Sequence, residues 1–202
     1  MSAQPIQLPN APVQGLRSIE LTSDHERLLQ RFFEANPEYS LLVQGELPPV
    51  NEAHEAIHEE PPEGWGFTKK WVIGYFDSDG ALVAMANVVS DLLAPDVWHL
   101  GLFIVATSHH GTGAAQALYC GLEDWAAANG ARWMRLGVVQ GNQRAERFWQ
   151  AQGYVQTRTR DGVIMGKLTH TIRVMMKPLT GGTLSAYLLL VPRDHPDYHS
   201  ET

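Results

Sequence analysis

The stretch Val105-Ala106-Thr107-Ser108-His109-His110-Gly111-Thr112-Gly113-Ala114-Ala115 decides the fold. Before it runs an apolar segment, Val97 to Val105, that reads as a buried strand. After it, between Ala114 and Asn129, Leu118, Leu122, Trp125 and Ala126 recur at helical spacing. The order is strand, small-residue turn, helix. A helix that starts among Gly and Ala leaves backbone N–H groups open to an anion. No bulky Cβ blocks the approach, and the helix dipole adds to the attraction.

Two familiar phosphate loops are excluded. The P-loop ends in Gly-Lys-Ser/Thr, which is missing here. The dinucleotide fingerprint needs Gly or Ala where Gln116 stands, and no ribose-binding acid follows in a βαβ unit. Downstream, Trp133 to Val139 reads as a second strand. It leads into Asn142-x-x-Ala145-x-x-Phe148-Trp149 and then Gly153-Tyr154.

Taken together, these two segments resemble the GNAT superfamily of acetyl-CoA-dependent N-acetyltransferases. His110-Gly111-Thr112-Gly113-Ala114-Ala115 is similar to its Arg/Gln-x-x-Gly-x-Gly/Ala signature, with His110 at the Arg/Gln position. The second segment is similar to Asn-x-x-Ala-x-x-Phe-Tyr-x-x-x-Gly-Phe, with Trp149 at the Tyr position. The resemblance is close from about Val97 to Arg160 and looser over the rest. It implies an α/β (α+β) fold with a mixed, mostly antiparallel central sheet flanked by helices. The fourth and fifth strands would splay apart around the cofactor.

Composition agrees with such a domain. The chain has 202 residues, enough for one sizeable core. No apolar stretch is long enough to span a bilayer, and the Pro-rich start has no signal-peptide core. The one cysteine, Cys120, rules out an internal disulfide framework and reads as a packing residue. A cytoplasmic location is expected. The net charge of −7 argues against nonspecific nucleic-acid binding and is compatible with a cationic amine acceptor.

Along the chain, residues 1–15 read as a flexible lead, 16–179 as the GNAT-like domain and 180–202 as a tail. Leu16 to Leu21 is a first strand. A helix carrying Leu28, Leu29, Phe32 and Phe33 ends at Asn36-Pro37, and a short helix spans Asn51 to about Glu59. Trp71 to Phe76 and Leu82 to Val89 form a hairpin around Asp77-Ser78-Asp79-Gly80. Tyr154 to Arg160 and Ile172 to Lys177 are the last two strands. In the tail, Leu184 to Val191 reads as an added strand or a homodimer contact, limited by Pro192.

The resemblance implies that acetyl-CoA is the donor, with direct attack by a small amine in a ternary complex. Phe103, Ile104 and Val105 would pair with the pantetheine arm. The backbone of Gly111, Thr112, Gly113, Ala114 and Ala115 would hold the pyrophosphate; a merely tight turn is the alternative. His110 would touch a phosphate, and because imidazole loses its charge near neutrality, CoA affinity should fall between pH 6 and 8. Asn142 either caps a helix or reaches the cofactor. Trp149 lines the cofactor side, and its indole cannot give up a proton as the family's Tyr does. Either water or another group such as Tyr154 or Tyr119 would then serve as acid, or the thiolate would depart without a dedicated one; for Tyr154 the alternative is packing. His99 is the candidate base, against a structural hydrogen-bonding role. Glu38 and Tyr39 are expected at the acceptor mouth.

Two other readings compete. One is a noncatalytic acyl-CoA-binding regulatory module, kept open by His110 and Trp149; such a module would bind acetyl-CoA without releasing CoA. The other is a zinc hydrolase, because His54-Glu55-Ala56-Ile57-His58 matches His-Glu-x-x-His. The nearby Pro61-Pro62 and the polar character of this segment favour a solvated helix without metal.

Overall fold

The computed structural model describes residues 7–198. The chain order is β1 (Arg17–Glu20), α1 (Glu26–Ala35), α2 (Glu38–Val43), α3 (Glu52–His58), β2 (Lys69–Phe76), β3 (Leu82–Ser90) and β4 (Val97–Val105). Then follow α4 (Ala114–Ala128), β5 (Trp133–Val139), α5 (Gln143–Ala151), β6 (Val155–Met165), β7 (Leu168–Pro178) and α6 (Leu184–Leu190). The strands form one sheet in the order β1-β2-β3-β4-β5-β7-β6. Every pairing is antiparallel except β4 with β5. The mixed, mostly antiparallel sheet flanked by helices is therefore present.

Each face of the sheet has its own apolar layer. On one, Trp71 and Trp98 stack at 5.3 Å, and Trp125 of α4 meets both edge-on at 5.2 and 5.1 Å. On the other, Leu29, Phe32 and Phe33 of α1 pack on Val72 and Met85. Strands buried on both faces lose the period-two alternation, so most of β2 and β3 reads as a continuous apolar run, whereas β4 is exposed at Gly101 and only partly buried at His99, Leu102 and Phe103.

Several segments differ from the sequence reading. Pro37, the expected end of α1, also stands at the N-cap of α2, a helix the sequence did not reveal. Fixed φ suits a proline to a helix start as well as to a stop.

Of the expected flexible lead, residues 1–6 lie outside the described residues, and within 7–15 Leu8, Pro9, Ala11 and Val13 are partly or fully buried while the residues between them are exposed. Trp125 Nε1–H donates to Gln7 O at 2.5 Å, Ser18 Oγ–H donates to Pro9 O at 2.6 Å, and Leu8, Ala11 and Val13 sit against the core. The approach depends on Gly121 of α4, where a Cβ would lie 2.7 Å from Asn10 O.

The tail segment is a helix rather than an added strand. Thr183 Oγ1 caps α6 by accepting from Ala186 N at 3.1 Å, and Tyr187 is fully buried. An unbroken apolar run carries no period, so the cap and the packing decide its state.

The β6–β7 hairpin runs well past its expected strands and packs on the segment after α2. His170 Nε2–H donates to Val43 O at 2.7 Å, and Lys167 N donates to Gln44 O at 2.8 Å.

Candidate active site

The opening in the sheet begins at a β-bulge. Asn87 faces Leu102 while Val88 faces Leu100, so Gly101 is the extra residue on β4. Bulges bend a strand and increase its twist. Before the bulge, Val97–Leu100 pairs with Trp133–Leu136 of β5. Beyond it, β4 stays with β3 as far as Val105, whereas β5 continues along β7. The edge of β4 from Leu102 to Val105 is thus unpaired on the β5 side.

Two cavities fill this opening. One, of ≈490 Å³, is walled by Phe103, Ile104, Val105, the His109–Gly111 loop and α5. The other, of ≈300 Å³, lies between His99–Phe103 and Arg135–Val139 and reaches β6 and β7. Tyr39, Phe103, Asn142, Ala145 and Trp149 line both and form the waist between them.

The loop of the larger cavity owes its shape to glycine. Gly111 and Gly113 have φ of 75° and 85°, in the left-handed region where other residues are strained. Gly113 is the N-cap of α4 and supplies no capping side chain. A Cβ at Gly111 or Gly113 would meet nothing within 4 Å, so the loop presents open space above its backbone. Thr112 Oγ1 donates to His109 O at 2.8 Å and accepts from Ala114 N at 3.3 Å. Ala115 lines the cavity from the first turn of α4. The remaining N–H groups of this helix start can receive an anion, and the unpaired strand edge beside it can pair with an extended amide.

His110 and Glu38 occur together here. His110 Nε2–H donates to Val105 O at 2.8 Å, and its Nδ1 lies 3.7 Å from the Glu38 carboxylate. Arg144 reaches the same carboxylate oxygen at 3.8 Å. Glu38, expected at the acceptor mouth, thus stands on the loop side, and Arg144 adds a cation there. Arg144 occupies a free position of the Asn-x-x-Ala motif, so no sequence signal singled it out.

Asn142 caps α5, its Oδ1 accepting from Ala145 N at 3.2 Å. Trp149 is 9% exposed and packs edge-on to Tyr119 at 5.1 Å and Tyr154 at 5.4 Å. Tyr154 lies beneath the site, lines neither cavity, and accepts from the Tyr119 hydroxyl at 3.0 Å. Burial pushes its phenol well above the usual range. Tyr39 stands at the waist itself, its phenol raised to about 12 by burial and then by Glu52.

On the far side, His99 is half-buried with Nδ1 accepting from Arg135 Nη1 at 3.4 Å. Burial, then the Arg135 charge, lowers its pKa to about 3. At neutral pH it is an uncharged imidazole with little basicity. A histidine depressed in the folded state stabilises fully above its unfolded value near 6.5 and loses that contribution as pH falls. The melting temperature should therefore drop between pH 6.5 and 5, and His99→Gln should flatten the slope. An unchanged slope would show that His99 is freely solvated.

Arg135 is held by the tail. Its Nε and Nη2 donate to the two oxygens of Asp194 at 2.6 and 3.0 Å, and the Tyr187 hydroxyl donates to the same carboxylate.

The His-Glu-x-x-His segment forms α3, and its geometry does not match a hydrolase. His54 Nδ1 and His58 Nε2 point to Glu26 Oε1 of α1 at 3.2 and 2.8 Å. Glu55 is rotated about 100° around the helix from His54, and it lines a separate cavity. Glu26, His54 and His58 could together offer three ligand atoms, but none of them lines any of the three cavities described.

This combination of splayed parallel pair, bulged fourth strand and uncapped glycine loop defines an acyltransferase fold with a cofactor groove. The family model of the Acetyltransferase (GNAT) family matches residues 25–154, and the chain belongs to that family. It is an acyltransferase of GNAT type. Among solved structures, an acetyltransferase from Thermus thermophilus is similar at 23% identity and a TM-score of 0.65, covering 83% of this chain and 99% of that one. A spermidine N-acetyltransferase from Vibrio cholerae, in complex with CoA and spermine, gives 14% identity and a TM-score of 0.64, covering 83% and 98%. The ribosomal-protein-S18-alanine N-acetyltransferase from Escherichia coli gives 13% and 0.62, covering 84% and 97%. These likenesses describe the fold. No curated protein matches the chain.

Proposed function

We propose that the protein transfers an acetyl group from acetyl-CoA to the amine of a small acceptor by direct attack. The observation that supports this is the waist: the cavity beside the Gly111–Gly113 loop and the free edge of β4 shares Tyr39, Phe103 and Trp149 with a second cavity. Bound acetyl-CoA supplies the thioester carbon that the amine attacks. The N–H groups of the Gly111–Ala115 loop bind the diphosphate, and the free edge of Leu102–Val105 aligns the arm. Arg144 offsets the Glu38 carboxylate beside the phosphates.

The acceptor nitrogen must arrive neutral. With His99 uncharged and weakly basic, its ammonium proton leaves to water rather than to that imidazole. As the nitrogen bonds to the carbonyl carbon the C–S bond breaks, and the nitrogen sheds its extra proton to water. The thiolate departs with a hydrogen bond donated by Tyr39, whose phenol keeps its own proton at neutral pH. Tyr39 takes the place that the indole of Trp149 does not fill.

The first test is thermal stability with acetyl-CoA, where ~100 times the dissociation constant should add about 2.7 kcal/mol. The second is release of free CoA with a panel of amines. Tyr39→Phe should lower kcat about 10- to 100-fold while leaving CoA affinity unchanged. Binding without turnover of any amine would favour a regulatory acyl-CoA-binding module. No binding would end the acetyltransfer reading.

A further inference from the structure

Arg160 and Arg135 line the acceptor-side cavity. Asp194 neutralises Arg135 through two hydrogen bonds, so the uncompensated charge in the wall is that of Arg160. The neighbouring His99 is uncharged, and among the described residues no aspartate or glutamate is in the wall. The chain as a whole is at −7, so this positive cavity is local rather than a by-product of composition. Arg158 and Arg160 lie two residues apart on β6, hence on one face. The strand is bent just beyond them by a bulge between Arg160 and Val163, where Gly162 takes φ 71°.

Countercharge is scarce. Burial, and then Arg135, Arg158 and Arg193, push the Arg160 guanidinium below its ordinary value, and Asp194 opposes them. Yet both oxygens of Asp194 are engaged by Arg135. Among the described residues Arg160 forms no ion pair, and the buried Nε of Arg158 has no hydrogen-bond partner. Glu55, Glu59 and Glu60 line a separate cavity that meets this one at Trp65, His99 and Gly101 and shares no residue with the cofactor side. Within the acceptor cavity itself, Arg160 is thus the charged side chain left without a partner among the described residues.

We propose that the acceptor is an amine carrying a carboxylate close to the reacting nitrogen, and that Arg160 holds this carboxylate. This rests on the acetyltransfer reading above and narrows it to amino-acid-like acceptors. A guanidinium presents a planar fork that matches a carboxylate, and an anion relieves the repulsion among the clustered arginines. The same positive field disfavours the ammonium form of the acceptor nitrogen, which promotes the neutral nucleophile. Val163, Ile172 and Val174 complete the wall and suit an apolar side chain. A polyamine would bring like charge into this cavity.

Matched pairs test the proposal: leucine against 3-methylbutylamine and phenylalanine against 2-phenylethylamine, with spermidine as a polycation. CoA release should favour each amino acid over its decarboxylated partner by about 10- to 100-fold in kcat/KM. Arg160→Gln should erase that preference by raising KM for the amino acid, with CoA affinity unchanged, and Arg160→Lys should restore part of it. Calorimetry on the CoA-loaded protein reads the same site without turnover: N-acetylleucine should bind more tightly than N-(3-methylbutyl)acetamide, and Arg160→Gln should remove the difference. Equal binding of that product pair, or preferred turnover of the decarboxylated amines or spermidine, would overturn the proposal. If CoA binds and the carboxylate preference is absent, only this inference fails. If CoA does not bind at all, the acetyltransfer reading fails and this inference with it.

Discussion

Replacing Asp194 with alanine should destabilise the protein by about 3–5 kcal/mol, because it leaves a buried guanidinium without its counterion. The Arg135 side chain is 4% exposed and that of Asp194 0%, so water cannot replace the lost bonds cheaply. Burial alone would raise the pKa of the Asp194 carboxyl, but the hydrogen bonds and charge of Arg135 hold it below its ordinary 3.8. A carboxyl depressed in this way stabilises above its unfolded value and loses that contribution as pH falls through the folded one. The pair should thus be intact at neutrality and fail only below about pH 4. Urea unfolding at pH 7 measures the loss in Asp194→Ala. The double variant Arg135→Met/Asp194→Leu should recover much of it, since apolar residues of similar volume often replace a buried pair without penalty. A loss under about 1 kcal/mol would mean that the pair behaves as a surface bridge.

The second large effect concerns the cofactor loop. Gly113→Val should weaken acetyl-CoA binding about 10- to 100-fold, as the substitution forces a β-branched residue into a left-handed conformation costing about 1–3 kcal/mol. The backbone at φ 85° would relax, and the N–H groups at the start of α4 would turn away from their common focus. Strain of this kind also lowers stability, so a control is needed. Gly130, just past the other end of α4, has φ 101° and open space around it. Gly130→Val should lower the melting temperature to a similar degree and leave the dissociation constant for acetyl-CoA unchanged. If Gly113→Val binds acetyl-CoA within about threefold of the unchanged protein, under about 1 kcal/mol, the loop does not hold the phosphates.

The features legible in the sequence were the local ones. The apolar run Val97–Val105 was legible by its composition, its length and the glycine turn that ends it, and the helix after that turn by the spacing of Leu118, Leu122 and Trp125. Asn142 was legible as a cap because its partner is three residues away. The short helix α2 was not, since six residues carry too little period to register and Pro37 reads equally as a stop.

The sequence by itself determined the class of fold and the glycine turn that opens α4, both written in contiguous residues. Only the tertiary structure decided the surroundings of the cavity between β4 and β5. It carried Asp194 back across 59 positions to Arg135, gathered Arg135, Arg158, Arg160 and Arg193 into one field, and turned His99 from a candidate base into a neutral imidazole. Charge summed over a cavity depends on distances between residues far apart in the chain, and burial sets how strongly those charges act. Periodicity and motif spacing carry neither quantity, so a chain at −7 gave no sign of the positive cavity it encloses.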